Sequence, residues 1–305
     1  MRVSLAFTIF ILITSLNPDS APQCVTRESE QGKPIFTFGT VADVQYCDCN
    51  PDGERYFRSS PGKLREAISS FKSYGVGFIV NLGDLIDSGY KSYMPIMDIL
   101  DSSGIKVYHV TGNHDYYVDG KYLKLLPPLA EHKSGFYSFV YQGFRLVFLN
   151  GNEVSIYSTH SKKIIAAAND MISNLRKAGE PNGLIHNGAI GADQLVWLDS
   201  QLREAESAAQ KVIIFCHFPV WPVNEHNLLN YRQVLDILGN HHNVIAWFNG
   251  HNHSGNYGNL NMTHFINLKG MCETEKINSF AIIEVYHNRI WVKGEGREKS
   301  QIVAY

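Results

Sequence analysis

Residues 35–45 read Ile-Phe-Thr-Phe-Gly-Thr-Val-Ala-Asp43-Val44-Gln45, and residues 76–87 read Val-Gly-Phe-Ile-Val-Asn-Leu-Gly-Asp84-Leu85-Ile86-Asp87. Each is an apolar run that turns polar abruptly at its C-terminal end. A continuous apolar run bounded by turn residues is the pattern of a strand buried on both faces. The pattern recurs at 105–110, which leads into Gly112-Asn113-His114-Asp115, and at 212–216, which leads into His217-Phe218-Pro219. It recurs again at 244–248, which leads into Gly250-His251-Asn252-His253.

Helical spacing occupies the intervals at 63–72, 92–102, 161–177, 192–207 and 231–238. Further strands are expected at 136–141 and 144–149, a hairpin around Gln142-Gly143, and at 263–268. The last pair, 280–286 and 290–293, meets at the turn His287-Asn288. Strands alternating with helices predict an α/β protein with mixed sheets flanked by helices.

A chain of 305 residues with 44% hydrophobic and 18% charged residues can bury a full core, so a globular protein rather than a disordered one is the default reading. The net charge of -2 gives no electrostatic case for nucleic acid or an anionic membrane surface. It does not exclude an anionic substrate, because a bound metal supplies positive charge that the count omits.

The N-terminus differs from the rest. Arg2 precedes an apolar run at 4–16, and a polar, Pro-containing stretch follows to Gln23. That order matches a secretory signal peptide or signal anchor at 1–23, ahead of one folded domain at 30–305. The apolar run is shorter than the ~20 residues that span a bilayer, so no stable membrane span is expected after cleavage. The expected location is secreted, lumenal or periplasmic. An uncleaved anchor and a cytoplasmic protein remain as alternatives, since no good cleavage site follows the run. Cys24, Cys47, Cys49, Cys216 and Cys272 form no disulfide framework. Cys47 and Cys49 read as a redox pair, as metal ligands or as plain loop thiols, and Cys216 as a small buried hydrophobe.

The five polar motifs stand where α/β folds gather functional groups, at strand ends. Glycines before Asp84, Asn113 and His251 permit sharp turns and close backbone approach. Carboxylate and amide oxygens mixed with imidazole nitrogens suit manganese, zinc or iron better than thiolate-selecting metals. A carboxylate can also bridge two ions, a role assigned to Asp84. Taken singly, each motif has a plain reading: Asp43 as a helix cap, His217 as a core histidine, Gly112–Asp115 as a loop. Five in order, each at a strand exit, carry more than their sum. His241 and His242 lack such a motif and are expected on the surface.

Asp-x-Gln, Gly-Asp-x-x-Asp, Gly-Asn-His-Asp, the isolated strand-end His217 and Gly-His-x-His together resemble the calcineurin-like metallophosphoesterases, over residues 36–305. The resemblance implies a four-layer α/β sandwich with two mixed central sheets. It implies one metal on Asp43, Gln45, Asp84 and His253, and a second on Asp84, Asn113, His217 and His251. Many members have His where Gln45 stands, and Asp-x-Gln is similar to the manganese-dependent ADP-ribose/CDP-alcohol diphosphatases. The segments at Tyr56-Phe57-Arg58, Asn187-Gly188, Gln194/Trp197-Leu198, Asn230-Tyr231-Arg232 and 293–297 share that likeness. Two divalent ions follow, manganese first, with zinc or ferrous iron as alternatives.

The implied reaction is phosphoanhydride hydrolysis of a small nucleoside diphosphate-X substrate by metal-bound hydroxide, with no Ser or Cys nucleophile. His114 is the candidate transition-state stabiliser or leaving-group acid, oriented by Asp87. Arg58, Tyr231 and Arg232 are candidate substrate contacts, each with an equal reading as packing or a solvated charge. The alternatives are a phosphomonoesterase, a cyclic-nucleotide phosphodiesterase, or a catalytically silent metal-binding module. Purple acid phosphatases have Gly and Tyr where Gln45 and Asp87 stand, and a silent module should have lost ligands. The sequence carries no indication of oligomeric state.

Overall fold

The structure, a computed structural model, describes residues 32–126 and 134–305. The leader expected at 1–23, and Cys24, lie outside the described residues. Residues Pro34–Tyr305 pack as one unit.

Three parallel strands, β1 (Phe36–Val41), β2 (Phe78–Asn81) and β3 (Val107–His109), form half of the first sheet. β1 and β2 are short and nearly all buried, because both faces are covered and no residue need alternate with water, while β3 at the sheet edge is only partly buried. On the other edge of β1, the antiparallel strands β10 (Ser279–Val285), β11 (Arg289–Gly296) and β12 (Gln301–Ala304) complete the order β12-β11-β10-β1-β2-β3. The second sheet comprises β4 (Tyr137–Tyr141), β5 (Phe144–Phe148), β6 (Val212–Phe215), β7 (Val244–Asn249), β8 (Asn256–Leu260) and β9 (Thr263–Asn267). Its order is β4-β5-β6-β7-β9-β8, with β5, β6, β7 and β9 parallel.

The two six-stranded mixed sheets face each other across a core that includes Phe38, Phe78, Phe148, Phe215 and Phe248. Helices α1 (Ser60–Tyr74) and α2 (Tyr93–Asp101) cover the outer face of the first sheet through Leu64, Phe71, Ile96 and Ile99. Helices α4 (Ala192–Ser207) and α5 (Tyr231–Gly239) cover the second through Leu198, Leu202, Val234 and Leu238. Helix α3 (Lys162–Lys177) contributes Ile172 to a small cluster with Ala189 and Leu229. Gly39 on β1 leaves room for a side chain of α1: a Cβ there would lie 2.6 Å from the Phe71 ring.

Two strands escape the hydrophobic pattern. β8 reads Asn-Tyr-Gly-Asn-Leu and β12 Gln-Ile-Val-Ala, and each is the outermost strand of its sheet. Edge strands are short and partly exposed, so neither the polar β8 nor the four-residue β12 carries the long buried apolar run that marks the central strands. His241 also departs from expectation. Rather than lying on the surface it is 4% exposed, with Nε2 2.9 Å from Asp199 and Nδ1 3.1 Å from Glu206. Both partners project from α4, so the histidine clamps the end of the α5 segment to that helix. His242 is exposed. Cys47 and Cys49 form a disulfide, and Cys216 is fully buried. No helix among the described residues is long and apolar enough to cross a membrane.

His109, at the end of β3, provides a pH test of the fold. Burial and the nearby Lys106 push its imidazole down to about 4. The folded protein therefore keeps His109 neutral, while the unfolded chain takes up a proton below the ordinary value of about 6.5. The contribution to stability is present above that value and is lost as pH falls towards 4, up to about 3 kcal/mol. Denaturant melts at pH 7 and 4.5 should show this loss, and His109→Gln should flatten it.

Candidate metal centre and active site

The carboxyl ends of five parallel strands converge on one side of the sandwich: β1, β2 and β3 from one sheet, β6 and β7 from the other. Beyond β1 and β2 the chain keeps the parallel pairing going through the motif loops. Asp43 N donates to Gly83 O (3.1 Å), Gln45 N to Asp84 O (2.8 Å), and Asp87 N to Tyr46 O (3.0 Å). This places the Asp-x-Gln and Gly-Asp-x-x-Asp motifs side by side. Asp43, Gln45, Asp84 and His251 all have positive φ, 52°, 43°, 56° and 66°. Non-glycine residues adopt that region at a cost of order 1–3 kcal/mol, which the surrounding structure must outweigh, and such strain clusters at functional sites.

Asp115, the last residue of Gly-Asn-His-Asp, locks the loops together. Its Oδ2 accepts the N–H groups of Asp84 and Gly112, both at 2.9 Å, and its Oδ1 accepts Leu85 N–H and the Tyr93 hydroxyl, both at 3.0 Å. Four donors on one buried carboxylate make it a structural tie, with burial and Asp84 pushing its pKa up to about 6.

The seven residues expected as metal ligands come together. Asp84 Oδ2 lies 3.3 Å from His217 Nε2 and 3.2 Å from Gln45 Nε2. His253 Nε2 is 3.1 Å from Gln45 Nε2 and 3.5 Å from Asp43 Oδ1, and His217 Nε2 is 3.2 Å from His251 Nδ1. Each imidazole is oriented from behind. His217 Nδ1 meets Leu82 O at 2.8 Å, His251 Nε2 meets Asn187 Oδ1 at 2.9 Å, and His253 Nδ1 meets Glu273 Oε1 at 2.6 Å. Asn113 is buried beside them, and its Oδ1 has no hydrogen-bond partner among the described residues. A Cβ on Gly112 would overlap the Asp84 carboxylate and lie 2.7 Å from the His217 ring, so only glycine fits there.

These donors fit divalent metal ions. Two buried carboxylates, three oriented imidazoles and an orphaned amide oxygen face one another with little else to bond. The Gln45 amide agrees with this only when its oxygen and nitrogen exchange places, which brings the oxygen to the cluster, and the two assignments are equivalent in shape.

The charges respond strongly to one another. Burial raises the pKa of Asp84, but His217 and His114 outweigh it and hold the carboxyl far below its usual range. Burial lowers His217, but Asp84 and Asp43 drive it up to about 9. His251 is pushed well below its usual value by burial and by the neighbouring imidazoles, chiefly His217. His114 is lowered by burial and raised more by Asp84 and Asp87. A cation set among the cluster would provide the countercharge that the protonated imidazoles provide here.

His114 and Asp87 lie at the edge of the cluster. His114 Nδ1 is 2.9 Å from Asp87 O and 3.2 Å from Asp87 Oδ1, and its backbone N–H reaches Asp84 Oδ1 at 2.8 Å. A cavity of about 670 Å³ opens above, lined among others by Arg55, His114, Tyr117, His186, His226 and Arg297. Its size is that of a small-molecule site.

The three residues expected as substrate contacts lie outside that lining. Arg58 turns outward to Asp48 (2.6 Å) and Asn50 (3.0 Å). Tyr231 and Arg232 border a separate surface pocket, where Arg232 pairs with Glu180 at 2.6 Å. Two arginines line the cavity, Arg297 and Arg55; Arg55 Nη1 is 3.4 Å from Asp87 Oδ1, and Arg55 also pairs with Asp52. Nothing in the sequence separates Arg55 from Arg58. The isolated bridges joining Arg55 to Asp52 and to Glu273 set which of them points inward.

The fold and the donor cluster together define a metallophosphoesterase. The Calcineurin-like phosphoesterase family profile matches residues 36–255, and the chain belongs to that family. The chain is similar to the manganese-dependent ADP-ribose/CDP-alcohol diphosphatase of Danio rerio, 30% identical, covering 89% of this chain and 99% of that protein. It is similar to the protein of the same description from Oryza sativa subsp. japonica, 30% identical, covering 87% and 92%. Among solved structures, a dimetal phosphatase from Danio rerio superposes with a TM-score of 0.82 at 28% identity, covering 90% of this chain and all of that one.

Proposed function

We propose that this phosphoesterase hydrolyses the phosphoanhydride bond of nucleoside diphosphate-X compounds, of which ADP-ribose and CDP-alcohols are the substrates named for its relatives. The observation that carries this reading is the convergence of Asp43, Gln45, Asp84, Asn113, His217, His251 and His253 beneath a cavity that also presents His114 and Arg55. Two divalent ions on these residues, manganese by the relatives' dependence, would acidify water and neutralise charge on the phosphoryl oxygens.

The chain's own groups do the rest. Asp84 would serve both ligand sets, and Asn113, whose Oδ1 has no hydrogen-bond partner among the described residues, would offer that oxygen to one of them. With Nδ1–H held by Asp87, His114 presents Nε2 to the cavity, where it stabilises the phosphoryl group or protonates the leaving oxygen. Arg55, rather than Arg58, offers the planar cation suited to a second phosphate. Buried between acidic and imidazole groups, the reaction needs no side-chain nucleophile.

We also read residues 1–23 as a signal that delivers the domain to a secreted or lumenal compartment. The Cys47–Cys49 disulfide supports this, because such bonds persist in oxidising surroundings.

The test is a panel assay of residues 30–305 with Mn²⁺ against ADP-ribose, CDP-choline, a cyclic nucleotide and p-nitrophenyl phosphate. The diphosphate compounds should be preferred at least ~10-fold in kcat/KM, the ratio that about 1.4 kcal/mol of extra transition-state contact supplies. Preference for p-nitrophenyl phosphate would refute the diphosphatase reading and favour a phosphomonoesterase.

A further inference from the structure

Lys63 lies in the second turn of α1 with 4% of its surface exposed, a rare position for an ammonium group. Its Nζ donates to Met271 O (2.9 Å), Glu273 O (2.8 Å) and Thr274 O. An ammonium has three N–H donors, and all three go to one turn. That turn is strained, with Thr274 at φ 61°, and is tied to the metal-site loop by Met271 N to Ala42 O (2.9 Å) and Cys272 N to Asp43 O (3.0 Å). The reaction makes no use of Lys63, so the purpose of burying it lies in what the turn carries.

The turn carries Glu273. Its carboxylate reaches His253 Nδ1 at 2.6 Å, while His253 Nε2 faces Asp43 and Gln45. The other two imidazoles of the cluster are held from behind by neutral oxygens, Leu82 O for His217 and Asn187 Oδ1 for His251. His253 alone of the three has a carboxylate there. A carboxylate on the far nitrogen selects one tautomer, fixes the ring and raises its basicity as a ligand. His253 belongs to the ligand set that contains Gln45, a neutral amide where a stronger donor would bind more tightly.

We propose that Glu273 is a positioning residue for His253, and that Lys63 anchors Glu273 by clamping the 271–274 turn, together compensating for the weak donor Gln45. The proposal rests on the reading of His253 as a metal ligand.

The test is calorimetric titration of the metal-free protein with Mn²⁺, resolving two sites, for wild type, Glu273→Gln, Glu273→Asp, Lys63→Met and His253→Ala. Glu273→Gln should weaken one site by about 10–100-fold and leave the other unchanged, with the Mn²⁺ concentration for half-maximal activity rising by the same factor. Glu273→Asp should recover part of the affinity, and Lys63→Met should weaken the same site by less. Unchanged affinities in Glu273→Gln would overturn the proposal. So would equal weakening of both sites with a lowered metal-free Tm, the result of a merely structural role. If Lys63→Met fails to fold, the isosteric Glu273→Gln decides alone. If His253→Ala keeps both sites, the ligand reading itself is wrong, which the wild-type comparison separates from failure of the relay.

Discussion

Asp84→Ala should reduce metal-dependent turnover by roughly 10³-fold or more, since a metal's contribution of several kcal/mol converts to at least that factor. The side chain is fully buried at the junction of the cluster, with Oδ2 3.3 Å from His217 and 3.2 Å from Gln45. Its other oxygen accepts the His114 N–H at 2.8 Å, so removal also frees the loop carrying the candidate acid. On the proposed assignment both ligand sets would lose a member at once, and His217 would lose the carboxylate that chiefly raises its pKa to about 9. Loss of both Mn²⁺ sites in a titration, alongside loss of kcat, is the expected result. Retained turnover would refute the bridging role.

His114→Ala should behave differently, keeping Mn²⁺ and losing rate by roughly 10²–10⁴-fold, the range for removing a general acid. The reason is that the ring is held by Asp87, through its carbonyl at 2.9 Å and its carboxylate at 3.2 Å, while only the backbone N–H of His114 touches Asp84. Alanine keeps that N–H, so the ligand geometry should survive. Metal analysis and kcat measured on one preparation separate the two possibilities. Loss of metal would show that His114 supports the centre itself and that its catalytic assignment is mistaken.

These two substitutions differ in what could be read about them in advance. Asp84 and His114 both follow apolar runs, and their motifs make them candidate site residues without structural information. Asp115 has the same residue type and setting, yet its four donors show it to be a tie between loops. Arg55 and Arg58 are three residues apart, and only the local bridges direct the first to the cavity and the second to Asp48. Tyr231 and Arg232 share a motif with buried Asn230, whose side chain bonds the backbone of Ile190, while they themselves border a different pocket. Polar side chains carry no periodicity that reveals direction, which is why these positions were not legible.

The sequence by itself determined where the buried strands end and which donor types stand there, because burial on both faces demands unbroken apolar runs and metals demand particular atoms. It therefore determined the α/β sandwich and the residue types at the chain's strand exits. The tertiary structure alone decided which exits meet. Parallel pairing of β1 with β2 and of β6 with β7 is a long-range choice of neighbours, and the apposition of the two sheets brings Asp84 to His217 across 133 positions of chain. It alone placed Arg55 at the cavity and Glu273 behind His253, and it buried Lys63 to hold the turn between them. Side-chain direction outside the core follows from packed geometry, and local sequence does not encode it.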